Sequence, residues 1–215
     1  MTNSGMGSGR SGVTYRSARR PEDVQRLPAP DSPLPTRWAV VVDDLAFFDG
    51  DAIARPVNET LGATTAVGRK LETAALEGER GARLVRQLQP AEPLAVGAAV
   101  VTGAGALGVE LLIHAVVQGR EERVTRDTVR RATTSALQRA GDFAVAHLGL
   151  GPFGLGAGNL DPDDAAEAMA GPIARLLAAA PLPERVTLVV ETDDEARAFA
   201  AALERAAAAT AAAAR

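Results

Sequence analysis

Cysteine is missing altogether from the 215 residues, so disulfides, thiolate zinc sites, iron–sulfur clusters and a cysteine nucleophile are excluded together. A chain of this kind suits the cytoplasm. Aromatic residues make up only 3%, with a single Trp, which removes the stacking platforms on which single-stranded nucleic acids are held. Neither sign of charge dominates: Lys+Arg 23 against Asp+Glu 27 leaves a formal net charge of -4. Such a protein has no global field to attract nucleic acid, and any phosphate it binds must be held by local geometry. The one lysine, Lys70, follows Arg69 instead of a glycine, and this excludes a P-loop. Long apolar runs are missing too. None approaches the roughly 18 residues of a membrane span, and the Ser-, Gly- and Arg-rich start has no apolar segment to act as a signal peptide. The two histidines, His114 and His147, fall in or at the end of apolar runs and read as hydrogen-bonded core residues. Nothing in their spacing suggests a chelate, and no metal site is expected.

What is present, 47% hydrophobic in all, divides into three stretches. Residues 1–36 are rich in Gly, Ser, Arg and Pro without apolar periodicity, and read as a flexible arm ending in a proline-rich linker. Its arginines Arg10, Arg16, Arg19, Arg20 and Arg26 suit either a solvated tail or contact with an acidic partner. Residues 206–215 are nearly all alanine, which favours a helical extension with little surface to dock. The globular part is 37–205.

Within it, short continuous apolar runs alternate with helical spacing. Strands are expected at 38–42, 52–57, 97–102, 111–117, 143–148 and 186–190. Helices are expected over 64–76, through Val124, Val129, Ala132, Ala136 and Leu137, after Asp161-Pro162-Asp163-Asp164, and from Thr192. The alternation gives an α/β fold, a three-layer α/β/α sandwich around a mixed central sheet.

Ligands of such sheets gather where strands end at their carboxyl sides. Asp43-Asp44-Leu45 follows the first strand; its carboxylates either cap the next turn or accept from an amino group such as that of adenine. Asn58-Glu59-Thr60-Leu61-Gly62-Ala63-Thr64-Thr65-Ala66 follows the second. Asn58 suits a ribose or carbonyl contact, while Thr64 or Thr65 suits a helix cap. Gly103-Ala104-Gly105-Ala106-Leu107 is sufficiently explained as a tight hairpin connection. The strongest signal is the glycine-rich run from Gly149 to Asn159, between a buried strand and the helix start at Asp161. Such a loop can turn amide N–H groups inward as a phosphate cradle.

These loops together resemble the macro domain family over roughly residues 38–205. Asp44-Leu45 resembles the family's Asp-Ile pair, whose carboxylate recognises the adenine amine. Asp51-Ala52-Ile53 is similar to its Asp-Ala-Ile, and Arg55-Pro56-Val57-Asn58 stands in the place of Asn-Ala-Ala-Asn. Gly97, Ala99, Thr102, Leu107 and Ile113-His114-Ala115-Val116 are similar to the paired strands Gly-x-Ala-x-x-Thr and Ile-His-x-Val. Gly154-Leu155-Gly156-Ala157-Gly158-Asn159-Leu160 resembles the loop that wraps the diphosphate. The departures are these: Arg55 replaces the first Asn, Gly62-Ala63-Thr64-Thr65-Ala66 carries side chains where the first phosphate loop has glycines, Val67 stands where some hydrolytic members carry an acid, Leu155 replaces a threonine, and Glu191 or Thr192 replaces the aromatic that often stacks on adenine.

The resemblance implies a module that binds ADP-ribose or a related nucleotide through Asp44, Leu45, Asn58, Gly154, Leu155, Gly156, Ala157, Gly158 and Asn159. An ADP-ribosylated protein is the partner it implies, and no cofactor is called for. The enzyme alternative is an ADP-ribosyl hydrolase in which Asn58 orients the ribose. A third reading is a degenerate domain serving structure or protein interaction, supported by Ala63, Thr64, Thr65 and Leu155.

Overall fold

The computed structural model describes residues 37–156 and 160–214. The arm expected at 1–36 and the loop residues Ala157, Gly158 and Asn159 lie outside the described residues. In chain order come β1 (Trp38–Val42), β2 (Ala52–Asn58), α1 (Ala66–Ala75), α2 (Gly78–Gln87), β3 (Ala99–Gly103) and β4 (Leu111–Gln118). Then follow α3 (Arg126–Asp142), β5 (His147–Leu150), α4 (Pro162–Ala179), β6 (Arg185–Val190) and α5 (Asp193–Ala213). The six strands form one sheet in the order β1-β6-β5-β2-β4-β3, with every neighbouring pair parallel except β3 with β4. This is the mixed-sheet sandwich that the sequence leads one to expect.

The period of two along each strand sorts residues between two cores. Ala52 and Ala54 of β2, Ile113 and Ala115 of β4, and Val186, Leu188 and Val190 of β6 pack with α3, α4 and α5. Their chain neighbours Ile53, Leu112 and Val189 pack on the other side with Leu71, Ala75 and Leu84 of α1 and α2. Alanine abundance has a use here. Ala132, Ala136 and Ala140 of α3 and Ala165, Ala166 and Ala170 of α4 are buried in the larger core, where small side chains let helices lie close to the sheet.

Helix starts follow the sequence signals. Asp161 Oδ1 accepts from the Asp164 amide at 2.8 Å and Pro162 opens α4; Thr192 caps α5, and Thr125 with Thr128 forms a reciprocal capping box on α3. Three expectations are corrected. The apolar run 143–148 is not a strand throughout, because α3 extends to Asp142, Phe143 is its C-cap and Ala144 turns with φ 53. The strand begins at His147. Helix α2, with few apolar residues and two glycines, is an element that periodicity missed. The link between β3 and β4 spans 104–110 and is longer than a tight hairpin.

Arg37 ties the entry of β1 to the end of α4 and the approach to β6. Its guanidinium donates to the carbonyl oxygens of Leu177 and Ala180 at the end of α4, and to those of Pro181, Pro183 and Glu184 before β6. It thereby satisfies carbonyls that the helix terminus leaves unpaired.

Candidate functional site

Strands β1, β2, β5 and β6 are parallel, so the segments leaving their carboxyl ends meet on one side of the sheet. There they enclose a pocket of about 230 Å³. Asp43, Asp44 and Leu45 come from the end of β1, Arg55 and Pro56 from β2, Gly151, Pro152, Leu155 and Gly156 from the loop after β5, and Val189 and Glu191 from β6. The first turn of α1, from Thr65 to Gly68, with Leu71 behind it, and Glu195 of α5 complete it. The opening exists because β5 pairs with β2 only over Ala52–Ala54. Beyond that, Gly151 N donates to Ala54 O at 3.1 Å and the two chains separate.

Asp44 is exposed and its Oδ1 accepts from the Ala46 amide at 2.9 Å, capping a 3-10 turn over Leu45–Phe47. Its Oδ2 has no hydrogen-bond partner among the described residues and is open to a donor on a ligand. Leu45 is buried and packs in the α1–α2 core, so it anchors the loop that presents Asp44. At the start of α1, Thr65 Oγ1 accepts from Gly68 N at 3.0 Å. The amides of Ala66 and Val67, the first two of the helix, have no intrahelical acceptor. They point along the positive end of the helix dipole, beside the pocket.

Asn58 is not among the pocket-lining residues. Its Oδ1 accepts from Thr60 N at 3.0 Å, Thr60 Oγ1 at 2.9 Å and Gly62 N at 2.9 Å, so this side chain holds the turn between β2 and α1. Gly154, at φ 88, is a position where a Cβ would meet Val129 Cγ2 at 2.7 Å; it turns the loop after β5 without lining the pocket. Leu155 and Gly156 do line it. Ala157, Gly158 and Asn159 are outside the described residues. The structure therefore brings together Asp44, Leu45, Leu155 and Gly156, and leaves Asn58 and Gly154 as supports.

Arg55 is one of several lining residues, Glu191 and Glu195 among them, that sequence reasoning did not put in the site. It is 1% exposed, and it donates from Nη1 to Glu72 Oε2 at 3.0 Å, from Nη2 to Leu61 O at 3.2 Å and from Nε to His114 Nδ1 at 3.0 Å. Burial pulls its pKa down, while the hydrogen bond and charge of Glu72 push it up; a guanidinium remains cationic throughout. The available signal was an arginine inside an otherwise apolar strand, Ala52-Ile53-Ala54-Arg55-Pro56-Val57. Among the described residues no cluster of His, Asp and Glu could hold a metal ion, and no helix is long and apolar enough to cross a membrane.

The model of the macro domain family matches residues 55–169. An uncharacterized protein of Mycobacterium bovis is 30% identical over 161 residues, covering 75% of this chain and 43% of its own length, and one of Mycobacterium tuberculosis matches to the same extent. The chain thus spans less than half the length of these curated relatives. Among solved structures, the Trypanosoma brucei macrodomain in complex with ADP-ribose gives a TM-score of 0.69 at 18% identity, covering 83% of this chain and 73% of that one. The Oceanobacillus iheyensis macrodomain with ADP gives 0.66 at 15% identity, covering 78% and 90%. At such identities the likeness is one of fold.

Proposed function

Because the chain belongs to the macro domain family, we propose that it binds ADP-ribose or a related nucleotide in the pocket at the carboxyl ends of β1, β2, β5 and β6. One observation carries this reading: a single pocket is lined jointly by the Asp44 loop, the opening turn of α1 and the Leu155–Gly156 loop. Asp44 Oδ2 accepts from the exocyclic amine of an adenine. The Ala66 and Val67 amides and the loop at Gly156 receive the diphosphate, as helix N-termini and nests of amides do for anions. The structures with ADP-ribose and with ADP support the ligand class through shared fold. Val67, an apolar residue, lines the pocket, which favours retention of a ligand over its hydrolysis.

Titration calorimetry with ADP-ribose, ADP and AMP tests the proposal. Saturable binding is expected, weakened by at least about tenfold in Gly156→Glu, where a carboxylate meets the anion. No heat at high ligand concentration would overturn the reading.

A further inference from the structure

Arg55 is the one cation lining the pocket among the described residues. The other charged residues there, Asp43, Asp44, Glu191 and Glu195, are acidic and come from the ends of β1 and β6 and the first turn of α5. Arg55 stands on β2, on the side where α1 begins. The pocket is therefore polarised, acidic on one side and positive on the other, with the uncapped amides of Ala66 and Val67 adding to the positive side.

The pairing of Arg55 leaves that field available. Three of its five N–H groups go to Glu72, Leu61 and His114, and of these partners only Glu72 carries charge against it. Glu72 is 27% exposed while the Arg55 side chain is 1% exposed. Solvent screens the carboxylate more than the guanidinium, so their charges do not cancel within the pocket.

We infer that Arg55 is a specificity-determining residue, which makes the β2–α1 side of the pocket select ligands that place an anionic group there, such as a terminal phosphate, over ligands that place neutral sugar hydroxyls. The inference rests on the same pocket as the proposed function and names the class of ligand it prefers: nucleoside diphosphates and other phosphate-terminated molecules. Glu72 acts as a positioning residue that holds the guanidinium against α1.

The test is calorimetry of the full chain with inorganic pyrophosphate, ADP and ADP-ribose at low ionic strength, on the native protein, Glu72→Gln, and the double variant Arg55→Gln/Glu72→Gln. The double variant has the net charge of the native chain and buries a neutral pair, an exchange that buried ion pairs often tolerate. Thermal melts establish that each variant is folded at the titration temperature. Glu72→Gln should bind pyrophosphate and ADP about threefold to tenfold more tightly. The double variant should bind both at least about tenfold more weakly than the native protein, with ADP-ribose affected less.

Equal pyrophosphate affinity in the native and double-variant proteins, or no gain in Glu72→Gln, overturns the inference. Saturable ADP-ribose binding that neither variant alters, for any probe, removes the role of Arg55 and leaves the proposed function standing. Pyrophosphate binding with the expected variant effects but no nucleotide binding does the reverse. Absence of binding by every probe removes both.

Discussion

His114 sits where three strands share one polar chain. Arg55 Nε–H donates to His114 Nδ1 at 3.0 Å, so the imidazole proton resides on Nε2 and is given to Thr102 Oγ1 at 2.7 Å. Thr102 in turn donates to Gly103 O at 2.9 Å. Among the described residues every buried side-chain nitrogen and oxygen has a partner, which is the condition for polar groups to be tolerated in a core. Burial, and then the neighbouring Arg55 charge, push the imidazole down from 6.5 to about 3. A histidine kept neutral in the folded state takes up a proton more readily when unfolded. Its contribution is intact above pH 6.5, falls away as the pH drops below that value, and levels off near pH 3. Stability to urea should therefore fall between pH 7 and pH 4 by about 3 kcal/mol from this residue, and His114→Gln should flatten that slope. A slope unchanged by the substitution would refute the assignment. His147, lowered chiefly by burial and then by Arg185, adds a smaller slope of the same sign that remains in the variant. At this scale the sequence was informative where the determinant is local. The cap at Asp161 and the buried His114 could be read from their neighbours. The Arg55 network could not, since its partners lie on α1, on the loop at Leu61 and on β4.

The elements show why periodicity succeeds and where it stops. Strands β1, β2, β4 and β6 were legible because each is a short continuous apolar run; β2, β4 and β6 are buried on both faces, and β1 at the sheet edge is half-buried. Strand β5 was misplaced by about four residues because Phe143, Ala144 and Val145 continue the apolar character of the strand while belonging to the helix terminus and its turn; Phe143 is in fact 52% exposed. Helix α2 was hidden by Gly81. That glycine is there because a Cβ would lie 2.0 Å from the Leu76 carbonyl, so the close turn between α1 and α2 dictates the residue and dilutes the helical pattern. Gly105 is a parallel case between α1 and the β3–β4 connection: φ is 64 and a Cβ would meet Ala75 O at 2.0 Å. Gly105→Ala should lower the free energy of unfolding by about 2 kcal/mol or more. Thr125→Ala, which removes the capping box of α3, should cost only about 1 kcal/mol. Denaturant melts of the two variants side by side check the order, and nucleotide affinity should be unaltered in Thr125→Ala because α3 does not line the pocket.

For the molecule as a whole, the sandwich was legible and the pocket partly so. Asp44 and the Leu155–Gly156 segment are brought together because parallel strands deliver their exits to one side, a rule of topology that needs no long-range knowledge. Asn58 illustrates the converse, since whether an asparagine faces a ligand or folds onto its own turn depends on the three donors around it. Arg37 is the long-range joint of the structure. Arg37→Ala should lower stability by about 2–4 kcal/mol, from several lost charge-assisted hydrogen bonds at a part-buried position, and should raise amide exchange in β1 above that in β2. Equal protection of the two strands would show that the joint does not hold the edge. Arg37 lies beside the foot of β1, at the opposite end of that strand from Asp43 and Asp44, and α5 starts at the rim and runs roughly 30 Å away from it. Arg37 and the far end of α5 thus both lie on the side of the sheet away from the pocket, so that neither of them narrows the ligand entrance.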